Sequence, residues 1–486
     1  MNRGAGRNAV GPTVFSPYAG PVILDAATIP DLQARMAAGT LTAVELTEAY
    51  LARIQELEPK VNSILFLDPS AVAQARASDE RRRDGGQLGP MDGIPVLLKD
   101  NIDTHDLPTT AGSRALLPAN AVADAPLVRR LRAAGAVILG KTNLSEWANF
   151  RSTKPTSGWS AVGGQTNNPH VLDRNPSGSS SGSAVAVAAS LAQVSIGTET
   201  DGSIVSPGGV NGIVGLKPSV GVIDGGGIVP ISREPDTAGP FARHVVDAAI
   251  TLSVLAGRDY GPAEMSLRGK RIGVWTIDGA GEVWQQTLDT LGRAGAILVD
   301  VPPADQDEIG NHEWPALITE FQRDLHAYLA TRPGVPQTLD ELIAFNRNDP
   351  VELSRFGQEL FEQAQAASPT TDPTYRQQRA TATELARGYI DGLIAGESLD
   401  AIVAPTNGPA WPTDYAIGDV EGVGSSTPAA VAGYPNITVP AGFVGALPVG
   451  VSFMAEKNAD ARLLALAAAF ERVADARRAP QFLPHQ

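Results

Sequence analysis

Residues 177–218 read SGSSSGSAVAVAASLAQVSIGTETDGSIVSPGGVNGIVGLKP. Two loops rich in Ser and Gly enclose Ala184 to Ala192, a run of small apolar residues that predicts a helix, and Val194-Ser-Ile196, which predicts a strand. The second loop, Gly197-Thr-Glu-Thr-Asp-Gly-Ser203, sets glycines and consecutive backbone N–H groups ahead of a hydroxyl, and the stretch ends in Gly215-Leu-Lys-Pro218. That order suits an oxyanion hole beside a nucleophile and makes Ser203 the candidate.

Working outward, Lys99 directly follows Pro95-Val-Leu-Leu98, so a strand end should hold its ammonium near a sheet interior. Desolvation there lowers a lysine pKa, and a neutral lysine can act as a base. Thr42-Ala-Val-Glu45 is a capping-box pattern, and Leu46, Tyr50, Ile54 and Leu57 place an amphipathic helix after it, to about Pro59. Strand-like runs at 64–66, 94–98, 136–139 and 194–196 alternate with helical stretches at about 70–84, 127–134 and 184–192. A second series follows: strands at 271–275 and 296–299 around a helix at 282–294, then strands at 401–403, 437–439 and 449–453 before a terminal helix to about Arg478. This alternation predicts an α/β fold with a mixed, mostly parallel sheet covered by helices on both faces. Residues 304–398 are polar, helix-prone and broken by Pro, as expected of an insertion lying over one face.

Composition narrows the function. The chain has 486 residues, enough for a sizeable core, and 43% are apolar. Lys plus Arg number 38 against 53 Asp plus Glu, a net charge of -15 that makes nucleic acid a poor partner. With no Cys, thiol nucleophiles and thiolate metal sites are excluded. No apolar run is long enough to span a membrane and no leader-like segment opens the chain, so a cytoplasmic protein is expected.

Two motifs mislead. Gly135-Ala-Val-Ile-Leu-Gly140-Lys141-Thr142 matches the phosphate-binding loop pattern, which would make Lys141 a nucleotide ligand. Its four middle residues are strand-like, however, and an extended strand cannot curl its amides around phosphates. Gly178-Ser-Ser-Ser-Gly182 matches the nucleophile elbow of α/β-hydrolases with Ser180 as nucleophile. No apolar strand precedes it, and His244, His312, His326 and His485 have no special setting.

With Gly93-Ile-Pro-Val-Leu-Leu-Lys-Asp100, Gly140-Lys-Thr-Asn143, both Ser/Gly loops and Gly215-Leu-Lys-Pro218 in this order, most of the chain resembles the amidase signature family of serine hydrolases. The resemblance implies one large domain over 1–486, with an N-terminal helical arm (1–85), a catalytic core (86–260) and the 304–398 insertion shaping the substrate pocket. It implies Lys99 as the base, Ser179 as the bridging serine, usually on a cis peptide bond, and Ser203 as the nucleophile. The backbone N–H groups of Thr200, Asp201, Gly202 and Ser203 match the oxyanion hole. Two departures stand out. The first loop runs Ser177-Gly-Ser-Ser-Ser-Gly-Ser183 instead of the common Gly-Gly-Ser-Ser-Gly-Gly-Ser, and Glu199-Thr-Asp-Gly-Ser203 replaces Asp-Thr-Gly-Gly-Ser. Asp201 should therefore discourage anionic acyl groups or constrain the oxyanion loop. Together with Glu146-Trp-Ala-Asn-Phe-Arg-Ser152 and Gly163-Gly-Gln-Thr-Asn167, this variant resembles the bacterial peptide amidase branch.

The implied activity is hydrolysis of a carboxamide, the C-terminal amide of a peptide above all, to carboxylate and ammonia through an acyl-enzyme, with no metal or cofactor. The expected partner is a small-molecule or short peptide amide, not nucleic acid or membrane. The rival readings are aryl-amide, carbamate or ester hydrolysis, the A subunit of a tRNA-dependent amidotransferase, a nucleotide-dependent enzyme and a non-catalytic module. Trp147, Phe150, Trp159 and Trp411 are candidates for lining the acyl pocket.

Overall fold

The computed structural model describes residues 24–261, 266–420 and 422–485; the first 23 residues of the expected N-terminal arm lie outside them. In chain order the strands are β1 (Ile64–Leu67), β2 (Pro95–Lys99), β3 (Val137–Thr142), β4 (Trp159–Ser160), β5 (Gly164–Gln165), β6 (Val194–Glu199), β7 (Val214–Lys217), β8 (Thr237–Ala242), β9 (Arg271–Val274), β10 (Ile297–Asp300), β11 (Ala401–Pro405), β12 (Asn436–Val444) and β13 (Leu447–Met454). All but β4 and β5 join one mixed sheet, ordered β1-β3-β2-β6-β8-β7-β12-β13-β11-β9-β10. Parallel pairing occupies two blocks, β3-β2-β6 and β11-β9-β10. The strands from β6 through β8, β7, β12 and β13 to β11 pair antiparallel. The short turn between β12 and β13 forces one of these pairings, since only antiparallel strands can be joined by a hairpin.

Period-two alternation explains the helical cover on both faces. In β11, Ala401 and Val403 join the core containing Trp284 and Leu291 of helix Gly281–Arg293 and Leu463 to Phe470 of helix Asp460–Ala474. Ile402 and Ala404 point the other way, into a cluster with Ile309 of helix Gln306–Leu329 and Ala382, Ala386 and Ile390 of helix Pro373–Gly396. At the N-terminal side the capping box forms as read: Thr42 and Glu45 satisfy each other's backbone N–H, and the helix runs Ala43–Val61, through Pro59. None of the described helices is long and apolar enough to cross a membrane.

The motif at 135–142 is a strand. Gly140, Lys141 and Thr142 lie in β3, paired with β1 on one side and β2 on the other, so the phosphate-loop reading has no geometric basis. Strands β7 and β8 were not anticipated. Gly239 and Pro240 break the apolar pattern of β8, whose ladder to β7 covers only Phe241 and Ala242 and so leaves Pro240 outside it.

Candidate active site

Lys99 is the last residue of β2, held between two parallel neighbours and fully buried. Its Nζ lies 2.8 Å from Ser179 Oγ, 2.9 Å from Thr198 Oγ1 and 3.3 Å from the Thr198 carbonyl. Burial lowers its pKa to about 7, against the pull of the Asp236 and Glu199 charges, so the amine loses its proton near neutrality.

Ser179 follows a cis peptide bond from Gly178 and is fully buried. A side chain at Gly178 would collide with Ser145 and Ser157. The Ser179 carbonyl accepts from Ser145 N at 3.0 Å, which ties the loop to the segment after β3. Ser180 points elsewhere. Its hydroxyl donates to the Thr198 carbonyl at 2.9 Å and accepts from Thr198 N at 3.2 Å, so it pins the loop to β6 with its hydrogen-bonding spent.

Ser203 follows Gly202, whose φ of +77° favours glycine, and precedes the short helix Val205–Val210. Among the described residues, the N–H groups of Asp201, Gly202 and Ser203 have no hydrogen-bond partner. Two consecutive side chains, those of Thr200 and Asp201, brace this loop. Thr200 Oγ1 donates to Asp236 Oδ1 at 2.6 Å, and Asp236 Oδ2 accepts from Ile231 N and Ser232 N at 2.9 and 3.1 Å. Burial pushes the Asp236 carboxyl up to about 7. Asp201 accepts from Ser426 Oγ at 2.5 Å, which anchors the loop to the start of helix Thr427–Ala432, and burial raises its pKa.

Ser203, Gly178, Thr200 and Asp201 border a cavity of about 340 Å³. Its other walls are largely apolar and include Phe150, Ile231, Trp314, Leu317 and Leu360, and among the described residues Asp201 is its only charged lining residue. Phe150 lines the cavity as expected. Trp147 and Trp159 instead pack in the interior beside Phe361 and Phe356, and Trp411 is not among the lining residues. Ahead of Phe150, the residues Trp147, Ala148 and Asn149 all have positive φ (50°, 55° and 71°). That left-handed turn is clamped by the fully buried pair Glu146 and Arg151, 2.9 Å apart, with Arg151 stacked on Phe356. Asp236 and Trp314 went unnoticed in the sequence because no motif spacing connects them to Ser203, while Thr198, inside the Gly197 to Ser203 loop, was given no role of its own. A separate cavity of about 390 Å³ between residues 220–236 and the end of helix Gln306–Leu329 borders Asp236 but contains none of Lys99, Ser179 and Ser203. None of the six histidines borders the cavity at Ser203.

The amidase family model matches residues 45–464. The chain belongs to the amidase signature family. A probable amidase of Arabidopsis thaliana is 38% identical over 490 residues, covering 94% of this chain and 92% of its own length. The glutamyl-tRNA(Gln) amidotransferase A subunit of Chloroflexus aurantiacus is 35% identical, with 92% and 96% covered. Among solved structures, native peptide amidase from Stenotrophomonas maltophilia superposes with a TM-score of 0.91 at 46% identity, covering 95% of this chain and all of that one. A peptide amidase complexed with the competitive inhibitor chymostatin gives 0.91 at 47% identity, with 94% and 99% covered. As an amidase signature enzyme, the protein is a hydrolase acting on C–N bonds of linear amides.

Proposed function

We propose that the enzyme cleaves the C-terminal carboxamide of short peptides to carboxylate and ammonia, with Ser203 as nucleophile, Ser179 as bridge and Lys99 as base. The observation that carries this reading is the contact of a buried, readily deprotonated Lys99 with Ser179, whose neighbour Gly178 borders the same cavity as Thr200, Asp201 and Ser203. Neutral Lys99 draws a proton through Ser179 from Ser203 as the Ser203 oxygen attacks the amide carbonyl. The N–H groups of Thr200 to Ser203 receive the developing oxyanion. The chain then returns the proton to the departing ammonia, and the same groups activate water against the acyl-enzyme. None of these steps calls on a metal or cofactor.

Similarity to the peptide amidases supports the peptide assignment, and the apolar walls suit an uncharged acyl group. Trp314, Leu317 and Leu360 come from residues 304–398, so that segment acts as the insertion that shapes the pocket. The test is ammonia release from C-terminally amidated peptides, alongside an anilide, a carbamate and an ester, with wild type and Ser203→Ala. Ammonia from peptide amides that vanishes in Ser203→Ala is the expected result. Turnover of the other three substrates alone would keep the mechanism and discard the substrate. Activity surviving in Ser203→Ala would overturn Ser203 as the nucleophile.

A further inference from the structure

Glu199 has no part in the proton chain described above, yet it is hydrogen-bonded to the turn that carries Ser203. It closes β6, and its side chain is fully buried. Its Oε2 accepts the N–H groups of Ile204 at 2.6 Å and Val205 at 2.9 Å, the two residues after Ser203. The carboxylate thus closes a ring across the turn 199–205 and takes up the N–H groups on the far side of Ser203, while those of Asp201, Gly202 and Ser203 stay unpaired among the described residues. The charged groups facing Glu199 are Lys217 of β7, itself fully buried, and Asp201; Lys217 also faces Asp460. Those facing Lys99 are Asp236 and Glu199.

We infer that Glu199 is a positioning residue for the hydrolysis: its carboxylate holds the turn that carries Ser203 through two hydrogen bonds and acts on Lys99 through its charge. This rests on the assignment of Ser203 and Lys99. The two effects can be separated by substitution. Glu199→Gln keeps an oxygen acceptor for both N–H groups but removes the charge. Glu199→Asp keeps the charge but is one methylene shorter, which withdraws the carboxylate from Ile204 and Val205.

The experiment follows the rate of Ser203 labelling by a fluorophosphonate from pH 5 to 9 in wild type, Ser203→Ala and the two Glu199 variants. Removing an anion that favours protonated Lys99 lowers its pKa, so Glu199→Gln should move the midpoint of the rise to lower pH by about half a unit or more. Glu199→Asp should keep the wild-type midpoint within about 0.2 unit while labelling about tenfold more slowly. A merely structural role would slow both variants with the midpoint fixed. A Glu199→Gln curve parallel to wild type therefore overturns the inference; should that variant not fold, Glu199→Asp labelling at the wild-type rate does so. Labelling that persists in Ser203→Ala overturns the nucleophile assignment, and the inference with it.

Discussion

Lys99 and Lys141 lie on neighbouring parallel strands, with Leu98 opposite Lys141 and Lys99 opposite Thr142, and both are fully buried. Burial lowers the pKa of each. Their partners differ. Lys141 has a carboxylate oxygen of Asp100 at 3.4 Å, the carbonyls of Ile102 and Pro108 at 2.7 and 2.9 Å, and Thr109 Oγ1 at 2.9 Å. Lys99 has two hydroxyls and a carbonyl, and no carboxylate within ion-pair distance among the described residues. One site compensates a buried ammonium, while the other supplies hydroxyl partners to an amine that can lose its proton. A depressed lysine pKa therefore becomes chemistry only where the neighbours can exchange protons and a cavity lies within reach.

The largest consequence concerns turnover. Lys99→Arg, cationic at every working pH, and Ser203→Ala should each lower peptide-amide kcat/KM by about 10³-fold or more, whereas Lys141→Met should keep it within about tenfold per folded molecule. An active Lys99→Arg enzyme would erase the distinction between the two sites.

Stability should move in opposite directions. Lys141→Met strands Asp100 in the interior and should cost about 3–5 kcal/mol in urea unfolding at pH 7. The Lys99 amine binds its proton up to about pH 10.4 in an unfolded chain but only below about 7 when folded. Between those values the unfolded chain holds the extra proton, so this residue's contribution to stability improves as pH rises. Lys99→Met removes that penalty and should raise Tm at pH 7, by an amount that shrinks toward pH 10. A lower Tm for both variants would mean that Lys99, too, is a structural ion.

The motifs located much of this site, and the reasons for what they missed are physical. Lys99, Ser179 and the 200–203 loop are each local patterns: a charge after an apolar strand, and loops rich in Ser and Gly. Asp236, which braces Thr200, and Trp314, which walls the cavity, reach the site only through the folding of β8 and of helix Gln306–Leu329. An aromatic residue also does not announce which way it faces. Trp147 adjoins a cavity wall in sequence, yet its left-handed backbone sends the indole into the core. The phosphate-loop pattern failed because its residues alternate as a strand and use their amides in the sheet.

The cavity extends the comparison to substrate choice, with smaller effects. Among the described residues Asp201 is the only ionisable one lining it, so an N-acetylated peptide amide should react faster than its N-succinylated counterpart, and Asp201→Asn should narrow that ratio by about tenfold. An unchanged ratio would leave Asp201 only its anchoring contact with Ser426. Smaller still, Trp314→Ala removes an apolar wall and should raise KM about three- to tenfold with kcat within twofold, measured on an amide with a bulky apolar acyl group.

The most direct measurement is a pH titration of the enzyme with ¹⁵N at its lysine Nζ atoms, the Lys99 and Lys141 signals being assigned by Lys99→Arg and Lys141→Met. The account predicts that Lys99 titrates with a midpoint near 7 and that Lys141, which has Asp100 as its counter-ion, titrates at higher pH than Lys99. A Lys99 ammonium still protonated at pH 9 would contradict the account, since no neutral amine would then be present to receive the Ser203 proton.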